Sequence, residues 1–331
     1  MYNNGGKTLR RHFEITKFQH LNCPARVEII DSEIPQPNAS QILIKIMFSG
    51  CNPKDWKRPE WFQKAHNSGD DISGIVEAVG LDVKDFRPGD RVAALHEMMA
   101  PGGSYAEYGL GWEFATFRLP FNISFEEVLN TVHSAFINVL NLPPPWRPAK
   151  ESIPLLIYGG AGAVGSYAIK LAQASNIYPL IVVAGNSKDY VESLISREKG
   201  DTIIDYREHD AHFVEGVQKA LSDTGASELR YAYDAITGNN SFQNISKSTL
   251  KLLKVLVASI FQKKDDGKKN VDEDFGFVYF RWFAKALVEG VLTGHPFEIV
   301  PGGLRGVERG LNDLKSGKNK ATKYVFDVTK T

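Results

Sequence analysis

The stretch LLIYGGAGAVGSYAIKLAQ, residues 155–173, decides the fold, because an apolar run, a glycine-rich turn and a helical pattern follow one another in it. Gly160, Gly162 and Gly165 satisfy the spacing G-x-G-x-x-G. The first glycine permits a tight turn, the second lets the backbone approach a pyrophosphate, and the third lets the helix lie close to the strand. The helix N-terminus then offers N–H groups to the phosphates. The predicted dinucleotide phosphate site is Gly160, Gly162, Ala163, Val164 and Gly165.

Four further apolar runs follow this stretch, each separated from the next by a helical pattern. Val, Ile and Leu occur in them without alternation, which is typical of a parallel sheet covered by helices on both faces. A helix opens this part of the chain, because Ser124 is a suitable N-cap and acidic residues occupy the first turn after it. We predict a doubly wound α/β cofactor domain over residues 124–289. Its predicted strands are 154–158, 178–184, 201–206, 231–236 and 255–261.

Residues 25 to about 112 differ from this pattern, since they read as short strands divided by turn residues. Alternating apolar residues place one face of a strand against a core, most clearly at Ile42, Ile44, Ile46 and Phe48. The chain ends in a further strand, with apolar side chains on one side at Tyr324, Phe326 and Val328. We predict a mostly antiparallel β domain that comprises residues 1–123 and 290–331. The mixed-charge segment 262–274 is predicted to be a solvated loop.

Length and charge narrow the classes of function. A chain of 331 residues fits two domains. With 39 basic and 39 acidic side chains, it has no overall field that would attract nucleic acid or an anionic membrane. Two cysteines exclude a disulfide framework and a four-cysteine zinc site. No signal peptide and no apolar run of membrane-spanning length is visible, so we expect a cytoplasmic protein. We expect it to be a monomer or homodimer.

The end of the second apolar run bears on the choice between NAD and NADP. An acidic residue there would bind the ribose 2′-hydroxyl and repel a 2′-phosphate. The sequence VVAGNSKDY, residues 182–190, has no acid before Asp189. Ser187 can donate a hydrogen bond to a phosphate and Lys188 can supply a charge, which favours NADPH. The alternative is that Ser187 caps the next helix and Lys188 is merely solvated.

Six motifs follow one another along the chain: SGCNPKDW (49–56), GDDISGIVEAVG (69–80), RPGDRVAA (87–94), GSYAEY (103–108), GGAGAVG (159–165) and PGGLRGVERGLNDLKSGK (301–318). Their order resembles the medium-chain dehydrogenase/reductase superfamily, and within it the zinc-free quinone oxidoreductase and enoyl reductase branch. The chain looks most similar to the fungal members, which include stand-alone reductases and the trans-acting enoyl reductases that serve polyketide synthases. The resemblance implies a GroES-like β catalytic domain and a Rossmann cofactor domain.

The same resemblance implies that no catalytic metal is bound. The catalytic cysteine of zinc-dependent alcohol dehydrogenases falls on Asn52 of this chain, and their next histidine and glutamate fall on Asp70 and Asp71. A catalytic zinc needs about three well-placed ligands and an open position, which this set does not supply. We therefore interpret Cys51 as a small, partly buried apolar residue; the alternatives are a reactive thiol and a metal ligand.

Metal-free chemistry suits a C=C bond conjugated to a carbonyl, or a quinone, because the negative charge spreads into an enolate or a hydroquinone anion. One hydrogen-bond donor near that oxygen then suffices. We assign the donor role to Lys54, with Asn52 holding the cofactor or the carbonyl; the alternative is an inconsequential surface pair of Lys54 with Asp55. His133, Tyr105 and solvent are the candidate proton donors.

The remaining sites are implied by the resemblance. The loop with Asn52, Pro53 and Lys54 faces the nicotinamide, as do Ser259 and Ile260. Tyr206 would contact the adenosine phosphate, unless it is a core aromatic.

We predict an NADPH-dependent C=C reductase that acts on an apolar enone or quinone. The alternatives are a detoxifying quinone oxidoreductase and a nucleotide-binding protein without catalysis. A polyketide synthase carrier domain is a candidate partner, for which Lys57, Arg58 and Lys64 would supply a basic surface.

Overall fold

The computed structural model describes residues 3–4, 7–15, 25–62, 66–129, 140–207, 210–225, 228–236, 238, 240–248, 254–257 and 271–331. Contacts divide the chain into two compact units. The first comprises residues 1–132 and 269–331, and the second comprises residues 133–268.

The second unit is built on a five-stranded, wholly parallel sheet. Its central strands are buried throughout, as expected for a sheet with both faces covered. In spatial order the strands are Thr202–Asp205, Leu180–Ala184, Leu155–Tyr158, Tyr231–Asp234 and Lys254–Val257. The strand order reverses beside Leu155–Tyr158, and ligands of such sheets bind outside the carboxyl ends at that point. The predicted parallel sheet is confirmed.

Helices connect these parallel strands. The helix after the glycine turn is buried along most of its length, which brings it close to the sheet. The described helices of this unit are Ala163–Ala174, Lys188–Glu192, Asp210–Asp223 and Ser241–Lys247, with a short 3₁₀ turn at Arg197–Lys199.

The first unit is a mostly antiparallel β domain, as predicted. Its main sheet runs Phe297–Ile299, Lys323–Asp327, Gln41–Gly50, Asp71–Val79, Arg91–Leu95 and Thr116–Arg118, and Tyr108–Trp112 also pairs with Gln41–Gly50. A separate sheet contains Asn3–Asn4, Lys7–Ile15 and Val27–Glu33. The helices are Pro53–Phe62, Phe125–Val128, Val271–Val288 and Val307–Lys315. Shorter 3₁₀ turns lie at Glu113–Ala115, Gly303–Gly306 and Val328–Lys330.

The core of the first unit follows the predicted alternation. Ile42, Ile44 and Ile46 are at most 2% exposed. Phe48 is only half-buried, because the pairing with the next strand shifts register between Ile46 and Phe48. The C-terminal strand does return to this domain, since Val325 pairs with Gly50.

The helix Val271–Val288 groups with the first unit, whereas the sequence interpretation ended the cofactor domain at residue 289. Its Phe280 and Phe283 rings pack edge-on against Phe117, with centroids 5.9 and 6.4 Å away. Arg281 also donates to the Thr116 carbonyl. The helix begins inside the segment predicted as a loop, so that prediction is wrong for residues 271–274.

Two further features are visible in the described part of the chain. Ser124 accepts a hydrogen bond from the Glu127 N–H, which confirms the predicted N-cap.

None of the described helices combines the length and the apolar character that crossing a bilayer requires.

Gly165→Ala should destabilise the protein. A Cβ at this position would overlap the backbone of Gly159 and Gly160, so the helix would have to move off the sheet. We expect a loss of about 2 kcal/mol in the free energy of unfolding, measured by urea titration. Gly216→Ala is the matched control, because its new Cβ would meet Ile204 only at 3.4 Å in a helix interior. A control that loses as much stability as Gly165→Ala would contradict this account.

Candidate active site

The glycine turn 159–165 leaves open space beside one of its glycines. A Cβ on Gly160 or Gly165 would overlap neighbouring atoms, so these glycines allow close packing. A Cβ on Gly162, by contrast, would meet only the Gly159 carbonyl oxygen, at 3.6 Å. Gly162 is also the N-cap of the following helix, whose first N–H groups have no intrahelical acceptors. The turn therefore fits a pyrophosphate.

The residues predicted to bind the adenosine ribose and its phosphate follow the carboxyl end of the strand Leu180–Ala184. Ser187 precedes the helix Lys188–Glu192, and its side chain makes no capping hydrogen bond, which argues against the capping alternative. Lys188 is exposed. The Tyr206 ring lies against Gly185 and is 51% exposed, so Tyr206 is not a core aromatic.

Arg207 lies at the same edge and was missed by the sequence analysis. Ala184 pairs in parallel with Asp205, so the segments that follow these two strands leave the sheet side by side. The Arg207 guanidinium donates to Asp205, with 2.8 Å between Nε and Oδ1, and to Asn186. This hydrogen bond lowers the pKa of Asp205 to about 2. The only sequence signal for Arg207 was its position just after the third predicted strand.

The predicted catalytic loop opens the helix Pro53–Phe62. Proline is favoured at the first helical position, where its missing N–H costs nothing. Asp55 reaches back and accepts the Asn52 N–H at 2.8 Å, while its own N–H donates to the Asn52 carbonyl at 3.0 Å. Asn52, Lys54 and Asp55 are each at most 8% exposed.

Lys54 is buried among acceptors, so the alternative of a surface pair is wrong. Its ammonium lies 2.5 Å from Asp55 Oδ1, 2.7 Å from Asp70 Oδ2 and 2.6 Å from the Ser68 carbonyl oxygen. The contacts with Asp55 and Ser68 are hydrogen bonds, and the contact with Asp70 is an ion pair. Burial alone would lower the pKa of Lys54, but the carboxylates of Asp55 and Asp70 outweigh it and raise the pKa above its usual value. Lys54 is therefore an ammonium ion.

A second lysine binds the neighbouring carboxylate. Lys323, from the C-terminal strand, places its ammonium 2.5 Å from Asp71 Oδ2 and 2.9 Å from Asn52 Oδ1. Asn52 Nδ2 donates to the same Asp71 oxygen at 2.8 Å. Asp70 and Asp71, which the family resemblance places at zinc-ligand positions of the alcohol dehydrogenases, thus both bind lysine ammonium groups. Among the described residues, no three His, Cys, Asp or Glu side chains converge as a metal site would require.

Tyr105 and Cys51 lie beside this network. The Tyr105 hydroxyl donates to Asp55 Oδ2 at 2.6 Å and is fully buried, and burial together with Asp55 raises its pKa well above the usual value. Cys51 is 4% exposed, and burial raises the pKa of its thiol far above the usual range. This environment is that of an inert, buried cysteine.

The structure therefore brings Asn52, Pro53 and Lys54 together on one loop and the phosphate residues on another. His133, Ser259, Ile260 and Lys64 lie outside the described residues. Sequence analysis gave no functional role to Asp55, and it missed His96 and Lys323 entirely.

Arg58 cannot contribute to an exposed basic surface, which corrects the sequence interpretation. It is 4% exposed, and its guanidinium lies 3.2 Å from Met98 Sδ. Lys57 is half-buried over the Trp56 ring, with 5.6 Å between Nζ and the centroid.

Comparison with known proteins supports the fold and the family. Residues 38–120 match the alcohol dehydrogenase GroES-like domain family. The trans-enoyl reductase fsr4 of Gibberella fujikuroi is 42% identical over 311 residues, which cover 85% of this chain and 89% of that protein. Among solved structures, a putative zinc-dependent alcohol dehydrogenase of Rhizobium etli has a TM-score of 0.77 at 20% identity, covering 97% of this chain and 98% of its own. A quinone oxidoreductase of Coxiella burnetii has a TM-score of 0.67 at 19% identity, covering 97% and 100%.

The chain belongs to the medium-chain dehydrogenase/reductase superfamily, in its fungal trans-enoyl reductase branch, and is an oxidoreductase. The predicted combination of a GroES-like β domain and a parallel-sheet domain is confirmed.

Lys323→Met should be strongly destabilising, because it leaves the Asp71 carboxylate buried without its cation. We expect a loss of about 3 kcal/mol in the free energy of unfolding. The double variant Asp71→Asn/Lys323→Met removes both charges and should recover part of that loss. Urea titration of the two single variants and the double variant measures the coupling. Strictly additive losses would contradict a direct ion pair.

Proposed function

We propose that the protein is an NADPH-dependent, metal-free reductase of a C=C bond conjugated to a carbonyl, with an enoyl thioester on a polyketide synthase carrier domain as its substrate. The observation that carries the proposal is the occupation of the Asp70 and Asp71 carboxylates by lysine ammonium groups. The identity to a trans-enoyl reductase supports the choice of substrate class.

The proposed reaction matches the chemistry of this site. When bound, the reduced nicotinamide supplies a hydride to the β-carbon of the enone. The electron pair of the C=C bond then forms a double bond between the α-carbon and the carbonyl carbon, the C=O pair moves onto the oxygen to give an enolate, and the α-carbon finally takes a proton. A positioned donor at that oxygen contributes roughly 3 to 4 kcal/mol. Such a donor replaces the metal that reduction of an isolated ketone would use.

Lys54 is the proposed donor, and its present contacts suggest how it would act. Two of its acceptors are carboxylates, whereas the third is the neutral Ser68 carbonyl. Replacing the Ser68 carbonyl by an anionic substrate oxygen costs less free energy than replacing a carboxylate, because Lys54 then keeps both ion pairs. Asn52 would stay fixed by Asp71 and Lys323. Tyr105 is fully buried and bonded to Asp55, so solvent or His133 is the better proposed proton donor.

NADPH is the proposed cofactor because basic residues gather where a 2′-phosphate would lie. Lys188 and Arg207 stand at the carboxyl edge of two paired strands, beside Ser187. Arginine and lysine both bind phosphate, arginine with two parallel hydrogen bonds.

Quinone reduction is the second candidate, since a quinone needs the same hydride and the same donor. The fold likeness to a quinone oxidoreductase is compatible with it. A nucleotide-binding protein without catalysis is the third, and it would bind NADPH without turnover.

The function is tested by measuring the loss of NADPH absorbance in the presence of matched substrates. We expect turnover with an α,β-unsaturated acyl thioester and none with the saturated thioester, because only the former has a C=C bond that accepts hydride. A saturated ketone serves as the control for ordinary carbonyl reduction. Turnover of a quinone alone would favour the second candidate, and binding of NADPH without any oxidation would favour the third.

Arg207→Ala should raise the dissociation constant of NADPH by about tenfold, because the charge-assisted hydrogen bonds to the 2′-phosphate are lost. The dissociation constant of NADH should not change. Titration calorimetry with both nucleotides measures the two affinities. Arg197→Ala is the matched control, since Arg197 precedes the same strand at its opposite end and pairs with Glu192. Equal loss of NADPH and NADH affinity would contradict a role at the 2′-phosphate.

A further inference from the structure

His96 holds a position that the proposed mechanism does not use. It lies just after the strand Arg91–Leu95 and is 2% exposed. Its Nδ1 is 3.0 Å from Asp70 Oδ1, and its Nε2 is 3.1 Å from the Pro101 carbonyl oxygen. Both ring nitrogens therefore make hydrogen bonds in a buried site.

Neither of these two partners can donate a hydrogen bond. A backbone carbonyl only accepts, and an ionised carboxylate only accepts. Asp70 is ionised, because Lys54 and His96 together outweigh the effect of burial and lower its pKa to about 2. A neutral imidazole has one N–H and one lone pair, so one of its nitrogens would point a lone pair at an acceptor. Only the doubly protonated ring satisfies both contacts.

The other titratable groups near His96 lie on neighbouring segments. His66 is half-buried; burial lowers its pKa, Asp70 opposes this, and the charges of His96, Lys54 and Arg58 lower it further. Lys54 and Arg58 face the same region as cations, but the Lys54 charge is already matched by Asp55 and Asp70.

We propose that His96 is an imidazolium that clamps Asp70 and so holds the Lys54 ammonium, which makes it a positioning residue for the catalytic loop. Asp70 bridges the two cations through its two oxygens, one to each. Without His96 the carboxylate could turn about its side-chain bonds, and the Lys54 ammonium would lose its fixed place. The effect on turnover rests on the proposed function, whereas the protonation state does not.

Nitrogen NMR of the histidine-labelled protein at neutral pH tests the protonation state without any substrate. We expect a proton on each of the two ring nitrogens of His96, identified by its loss in His96→Gln, and a single ring proton on His66. In Asp70→Asn the carboxylate is gone, so His96 should return to one ring proton. A single ring proton on His96 in the unaltered protein would overturn the proposal, whatever the enzyme turns over.

Kinetics test the positioning role. His96→Gln should lower kcat for the enoyl thioester by about tenfold, as expected for loss of one charged hydrogen bond, with the affinity for NADPH unchanged. His66→Gln is the matched control and should keep kcat within about twofold. An unchanged kcat in His96→Gln would overturn the positioning role. If that variant does not fold, the His96 signal is assigned by the loss of one of its ring protons in Asp70→Asn, and kcat of Asp70→Asn is compared with that of His66→Gln; equal kcat values would overturn the positioning role.

Discussion

The first unit depends on how three buried carboxylates are neutralised. Asp55, Asp70 and Asp71 are each at most 1% exposed, and charges taken out of water are retained only with partners. Lys54 supplies one partner from the helix N-terminus, and Lys323 supplies another from the end of the chain. The same contacts fix the loop on which Asn52 and Lys54 lie. The geometry of the proposed catalytic loop and the stability of this unit therefore have a common origin.

Local patterns in the sequence predicted most of the fold. The parallel strands were visible as unbroken apolar runs, and the glycine turn was visible because its spacing has a direct steric meaning at Gly160, Gly162 and Gly165. The helix Val271–Val288 was harder to predict from the sequence. Charged residues surround its start, and its packing on Phe117 involves a segment far away in the sequence.

The candidate site was predictable only in part, for a related reason. Asn52 and Lys54 stand out within one short motif. Lys323 is 271 positions from Asn52, and no local pattern connects the two. The proposed role of His96 likewise follows only from its distances to Asp70 and Pro101 in the structure. Family resemblance implied that Asp70 and Asp71 stand at zinc-ligand positions, but not that lysine ammonium groups bind both carboxylates.

The central proposal is that ammonium groups, rather than a metal ion, neutralise these carboxylates in the working enzyme. The metal content of purified protein that turns over an enoyl thioester, measured by plasma mass spectrometry, tests this most directly. The account predicts substoichiometric zinc and other transition metals in fully active protein. One tightly bound metal ion per chain, whose removal abolishes turnover and whose return restores it, would contradict the account.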